Sequence, residues 1–189
     1  PAGAEACAAL ASGKVAGVAT LSATYDSGSD TQPAHCVVRG SAAPRTGTDG
    51  KPYETRFELR LPTVWSGRFL YQGGGGNDGI VAPAVGRNTG SFPETGLQRG
   101  FAVVTTDAGH QGPTPEFGVD PIARVDHAYA AHERTATIAL ALIARYYGRA
   151  ADRKFIVIDT GGLVSGDSDA MTALVGELGA IAIEEAETH

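Results

Sequence analysis

The sequence predicts an α/β fold whose sheet is antiparallel in its N-terminal part and parallel beyond it. Three observations carry this. In "YETRFELRL" the residues Tyr53, Thr55, Phe57, Leu59 and Leu61 face one way and Glu54, Arg56, Glu58 and Arg60 the other, the period of a half-buried antiparallel strand. "RFLYQ", "FAVVTTD" and "KFIVID" are short apolar runs of the kind that buried strands show. Between the last two, "DHAYAAHERTATIALALIARYYG" spreads Ala, Leu and Ile over a broad face for 23 residues and ends on Gly148, a C-cap. Strand, helix and strand in that order imply a right-handed crossover and parallel pairing.

The remaining elements come in chain order. "AGAEACAALAS" predicts a short N-terminal helix, and "HCVVRGSAA" a strand. "PRTGTDGKP" is turn-rich, with Asp49-Gly50 as a hairpin signal ahead of the alternating strand. After a turn at Pro62 to Gly67, "RFLYQ" runs into the glycines Gly73 to Gly76. Near the C-terminus Met171, Leu174, Val175, Leu178 and Ile181 fall at helical spacing, with Asp167 or Ser168 as N-cap.

With 189 residues the chain is long enough for one core of its own. No apolar run approaches the ~20 residues that span a bilayer, so no membrane partner is expected. Nothing at Pro1 has the layout of a secretion signal, and the chain is expected to begin after one was removed. From Asp159 to His189 there are seven acids and no Lys or Arg, which leaves 14 acids against 15 bases in the first 158 residues. No basic stripe is present, which argues against nucleic acid. The acidic end reads as a solvated helix face, and the expected organisation is a domain over 1–162 with a divergent acidic helical tail over 163–189. Cys7 and Cys36 allow a single pairing, which an oxidising compartment closes and a reducing one leaves open.

Chemistry is sought where buried strands end. "GGGNDG" fits a dinucleotide-binding pattern only formally, because Pro83 and Gly86 break the helix that should come next. It is either a plain turn or a loop whose backbone N–H groups turn toward a ligand oxygen, as an oxyanion hole requires. "TTDAGH" sets Asp107 and His110 beyond a strand, lining a site or satisfying loop groups. His127 and His132 lie five apart on the long helix, no metal-ligand spacing, and read as surface or satisfied core residues; no metal site is expected.

"RTGTDGKPYETRFELRLPTVWSGRFLYQGGGGNDG", "RGFAVVTTDAGH", "FGVDPIARVDHAY" and "ARYYGRAADRKFIV", with "ACAAL" and "AHCVVRG" before them, resemble the tannase/feruloyl esterase family over roughly residues 5–158. The resemblance implies the N-terminal part of an α/β-hydrolase core, secretion to the periplasm or outside, and a small aromatic ester of feruloyl, galloyl or terephthaloyl type as substrate. It implies a Ser-Asp-His triad and, after the nucleophile strand, a lid that often binds calcium. By that resemblance Cys7 and Cys36 match the family's N-terminal disulfide. Gly73 and Gly74 match the loop that gives one oxyanion-hole N–H, and Thr160, after the nucleophile, gives the other.

The elbow departs from the family's Gly-Cys-Ser-x-Gly-Gly. With Gly161 and Gly162 aligned, Val157, Ile158, Asp159 and Thr160 stand opposite Gly, Cys, Ser and the variable residue, so the nucleophile position holds Asp159. Residues beyond Gly162 are not expected to resemble the family. Lid, acid and histidine are not found in this sequence, so no cofactor is expected. Three substitutes present themselves. Asp159 as nucleophile needs a positioned base, and only His110 or His189 is on offer. Ser168 in "GDSDA" comes ten residues after the strand and suits a helix N-cap better. "VIDTGG" matches the D-T-G of aspartic proteases, which would need a second copy. The expected function is that of an aromatic-ester hydrolase, inactive as this chain alone. The competing expectation is a non-catalytic fragment or binding domain that self-associates or pairs with a second chain completing the sheet.

Overall fold

The computed structural model describes residues 2–86 and 93–157. Among these residues six strands form one mixed sheet: β1 (Val18–Asp26), β2 (His35–Thr46), β3 (Pro52–Pro62), β4 (Arg68–Gln72), β5 (Ala102–Thr106) and β6 (Arg153–Val157), in the order β1-β2-β3-β5-β4-β6. β1, β2, β3 and β5 pair antiparallel in succession. β4 pairs parallel with both β5 and β6, so the expected change from antiparallel to parallel falls at β5. β5 and β6 share the sheet in parallel sense but are not neighbours: β4 lies between them.

The β2–β3 hairpin closes where Asp49-Gly50 predicts a turn. Gly50 adopts φ +76°, which a residue with a Cβ rarely does, and Asp49 accepts from the Lys51 N–H at 3.1 Å. Along β3, Tyr53, Thr55, Phe57, Leu59 and Leu61 are all buried, as the alternation requires. On the other face Glu58 is buried too. It accepts from Arg39 Nε (2.9 Å), Arg60 Nε (2.8 Å) and the Ala84 N–H (3.1 Å), so the loop after β4 is anchored across this face.

α1 (Ala4–Ala11) buries Cys7 and Leu10, and a Cys7–Cys36 disulfide ties it to β2 with Cα atoms 5.6 Å apart. β1 was not anticipated from the sequence. Its residues Val18, Leu21, Ala23 and Tyr25 pack partly on the core, the last three alternating with polar Ser22 and Thr24.

The long helix differs from its expected start at Asp126. Helix α2 (Pro121–Val125) begins earlier, capped by Asp120, whose carboxylate accepts the Ala123 N–H at 2.7 Å with Pro121 at the first position. One π turn (Asp126–Ala130) comes next, then α3 (Ala131–Tyr147), which ends on Gly148 in the left-handed region as expected. Ile138, Ala139, Leu142, Ile143 and Tyr146 of α3 pack with Phe57, Leu59, Phe69 and Val104 in one core against the sheet.

β6 is less buried than an interior strand, with Phe155 38%, Ile156 40% and Val157 52% exposed. Asp159, Thr160, Ser168, His189, the boundary at 162 and the expected C-terminal helix all lie outside the described residues.

Candidate active site at the C-terminal ends of the parallel strands

Two loops meet where β4 and β5 end. The loop after β4 holds Gly73 to Gly79, and the loop after β5 holds Asp107 to Pro113. They are laced by the Gly79 N–H on the Asp107 carbonyl (3.1 Å), the Gly112 N–H on the Gly79 carbonyl (3.0 Å), and Asn77 Nδ2 on the Pro113 carbonyl (3.2 Å). The structure therefore brings Gly73, Gly74, Asp107 and His110 to one end of the sheet.

Gly73 and Gly74 are not equivalent. The Gly73 N–H donates to the Val157 carbonyl at 2.7 Å, which extends the β4–β6 ladder by one bond. The Gly74 N–H has no such partner among the described residues. Of the two, Gly74 retains a donor for a ligand oxygen. A Cβ there would sit 1.6 Å from Asp78 Oδ1, so this carboxylate shields the glycine on one side. Asp78 adopts φ +51°, and burial raises its pKa, offset in part by His132 and His127.

The two candidates of "TTDAGH" diverge. Asp107 is saturated by its own loop: Oδ1 accepts the Arg56 N–H and the Gly109 N–H, each at 3.0 Å, and Oδ2 accepts Gln111 Nε2 at 2.9 Å. Burial outweighs these bonds and raises its pKa to about 6. Asp107 also borders an open cavity of about 640 Å³ on the sheet face opposite α3, with Arg39, Arg56, Phe57, Ile80 and Gln111. His110 is fully buried, and neither ring nitrogen makes a well-formed hydrogen bond, the backbone at Asn77 and Gly112 being its nearest polar neighbour. It stacks on Phe117 (centroids 3.8 Å) and meets His127 edge-on at 5.5 Å. Burial first, and His127 second, lower its pKa, so the ring is neutral near pH 7.

His132 is a satisfied core residue as expected. Its Nε2 faces the His127 carbonyl at 3.1 Å and its Nδ1 the Tyr71 hydroxyl at 2.8 Å; with Nε2 donating, the hydroxyl donates to Nδ1. Burial lowers its pKa and raises that of Tyr71 well above the ordinary tyrosine value. His127 is only half satisfied, with a buried Nδ1 that lacks a partner. At 3.6 residues per turn positions five apart lie on different faces, whereas a π turn pairs such positions. Asp78, Phe117 and Tyr71 were missed as members of this cluster. Only Asp78, inside "GGGGNDG", carried a sequence signal. Among the described residues no three His, Cys, Asp or Glu side chains form a group able to hold a metal.

A mixed sheet with a parallel half, a crossover helix on one face, and glycine-rich loops at the C-terminal strand ends defines an α/β fold of the hydrolase type. Solved structures agree: feruloyl esterase B from Aspergillus oryzae superposes with a TM-score of 0.63 at 21% identity, over 82% of this chain and 31% of that one. Tannin acyl hydrolase from Aspergillus niger gives 0.52 at 22% identity, over 82% and 31%.

The family model for tannase and feruloyl esterase matches residues 36–174, and the chain belongs to that family. It is 41% identical over 134 residues to mono(2-hydroxyethyl) terephthalate hydrolase of Piscinibacter sakaiensis, covering 66% of this chain and 22% of that protein. It is 29% identical over 149 residues to an uncharacterized esterase of Agrobacterium fabrum, covering 74% and 26%. The chain thus spans about a quarter of the length of these relatives. The family match extends to residue 174, beyond residue 158 where the recognised motifs stop.

Proposed function

We propose that this chain carries the oxyanion-binding portion of a carboxylic ester hydrolase for aromatic-acid esters of feruloyl, galloyl or terephthaloyl type, and that alone it does not turn such esters over. The observation that carries this is the Gly73 N–H on the Val157 carbonyl. It ties the start of the glycine loop to β6, two residues before position 159 in the chain, and leaves the Gly74 N–H for a developing oxyanion. In the proposed ancestral reaction a serine oxygen attacks the ester carbonyl, and the oxyanion is held by the N–H groups of Gly74 and Thr160. Collapse of the oxyanion breaks the C–O bond to the alcohol, which leaves with the serine's proton, and water then cleaves the acyl-serine to free the acid. Asp159 stands where the resemblance calls for that serine. A carboxylate forms an ester intermediate only when a positioned base then activates water. His110 does not suit that role, since it is packed beneath the loops with Phe117 against its ring.

The disulfide between Cys7 and Cys36 supports an oxidising compartment, secreted or periplasmic. Purified chain with a chromogenic feruloyl ester is expected to show no saturable hydrolysis above buffer, with Asp159→Ala indistinguishable from it. Saturable turnover that Asp159→Ala abolishes would defeat the proposal.

A second reading, a non-catalytic module completed by another chain or another copy, is favoured by one observation: β6 ends the described sheet with Phe155, Ile156 and Val157 still exposed.

A further inference from the structure

His110 is 1% exposed, yet neither ring nitrogen makes a well-formed hydrogen bond; the backbone at Asn77 and Gly112 is its nearest polar neighbour. A buried polar group so poorly met destabilises the fold, and its persistence asks for a reason beyond packing. The ring is clamped between three elements. Phe117 of the turn Pro115–Val119 lies flat on it, with planes 18° apart, and His127 of the π turn meets its edge. On the third side is Gly79 of the glycine loop, where a Cβ would come 2.9 Å from His110 Cε1 and 2.0 Å from the Gly112 carbonyl oxygen. Ring, glycine loop and β5 loop therefore share one contact.

The charges around the ring come from every element packed on it, and none is an anion available to it. In its own loop the Asp107 carboxylate is taken by Arg56, Gly109 and Gln111. In the glycine loop Asp78 acts on His127 and His132. In the π turn Asp126 is bound by Arg134 and Arg45, and His127 is itself a base. On α3, His132 is held by Tyr71 and the His127 carbonyl. In the turn Pro115–Val119 the one acid, Glu116, is exposed. Backbone acceptors at Asn77 and Gly112, one in each loop, favour a charged ring and are the only groups to oppose its exit, but desolvation and His127 prevail over them.

We propose that His110 is a proton-operated latch beneath the glycine loop: the neutral ring holds the Gly73–Gly79 loop shut against the β5 loop, and the imidazolium, with no anion to meet it, leaves the pocket and lets the loops part. A buried base with no counter-ion takes up a proton more readily in the open state than in the closed one, so acid populates the open state. The latch stands whether or not the chain descends from an ester hydrolase. Only its consequence, loss of the Gly74 N–H as an oxyanion donor in acid, rests on the function proposed above.

The test tracks the histidine ring and the backbone amides of the intact isotope-labelled chain by NMR from about pH 7 downward. The His110 ring is expected to stay neutral below the ordinary histidine midpoint of about 6.5. The Gly79 and Gly112 amides, each donor to the other loop, should shift with the same midpoint. Their hydrogen exchange, corrected for its intrinsic pH dependence, should quicken by up to about tenfold per pH unit between 6.5 and that midpoint. His110→Phe, which keeps the stack and cannot be charged, should hold both amides flat. Asp107→Asn should leave the transition in place. The latch is refuted if His110 titrates while both amides stay still, or if their transition persists in His110→Phe or vanishes in Asp107→Asn. Should His110→Phe not fold, the coincidence or separation of midpoints in the unsubstituted chain decides. Absence of esterase activity would not bear on any of these readouts.

Discussion

At the scale of single residues, Gly79 and Gly112 separate two reasons for glycine. Both adopt positive φ, +81° and +102°, so any side chain is strained at either. Only at Gly79 would a Cβ also strike backbone, the Gly112 carbonyl at 2.0 Å. Gly112→Ala is therefore expected to cost on the order of 1 kcal/mol in urea unfolding, and Gly79→Ala roughly 3 kcal/mol or more with the inter-loop bonds lost. Equal costs would mean that the loops do not depend on that close approach. Asp107 gives a pH dependence with a definite sign. Its pKa is raised from 3.8 to about 6, so the folded state keeps a proton that the unfolded chain releases. The stability this brings is full below about pH 4 and is lost as pH climbs through about 6, by at most about 3 kcal/mol. His110 and His132, lowered by burial, act in the opposite sense and withdraw stability as pH falls below about 6.5. Asp107→Asn should remove the first trend and keep the second, read from urea midpoints across the range. Asp107 and His110 are three apart in one motif, and the sequence offered both the same two roles. Which of them is satisfied depends on partners at Arg56 and Gln111 for one and Phe117 and His127 for the other, contacts that no local pattern encodes.

Among elements, the legible ones are those that local physics dictates. Strict alternation marked β3, Asp49-Gly50 its hairpin, and Gly148 the end of α3, since each depends on near neighbours in sequence. β1 escaped because it is an edge strand whose inward residues are separated by Thr and Ser. The π turn escaped because nothing in "DHAYA" distinguishes it from an α-helical turn. Of the site, both loops were legible from their glycines, and the burial of the cluster beneath them was not. The disulfide carries the prediction at this scale. Cys7 and Cys36 are separated by 29 residues, so their bond removes about 3–4 kcal/mol of chain entropy from the unfolded state. It also pins α1, of which only Cys7 and Leu10 are buried. Reduction, or Cys7→Ser with Cys36→Ser, should lower the urea stability by about that amount and raise exchange in α1 before the sheet amides respond. Uniform loosening of β2 and α1 together would show that the helix is held by packing instead.

For the whole molecule, the sheet decides which way the chain grows. Its first strand, β1, is an edge whose register with β2 is interrupted between Val18 and Thr20, and such irregularities are one way in which edges are kept from pairing with another chain. Its last among the described residues, β6, is bonded there on one side to β4 and carries Phe155, Ile156 and Val157 exposed by 38–52%, while α3 covers the strands nearer the middle. An apolar strand bonded on one side is a template for another strand, and strand addition there supplies backbone bonds and buried area at once. The chain is therefore expected to self-associate reversibly through β6, with sedimentation coefficients that rise with concentration. Ile156→Lys places a charge on that strand and should weaken association at least about tenfold, as gatekeeper charges on strand edges do. Val64→Lys, on the loop before β4 and 84% exposed, tests whether any added charge suffices and should leave association unchanged. If the chain sediments as a monomer at every concentration, or if Ile156→Lys associates as the unsubstituted chain does, then β6 is not a surface on which a second copy completes this fold, and the second functional reading loses its self-association form.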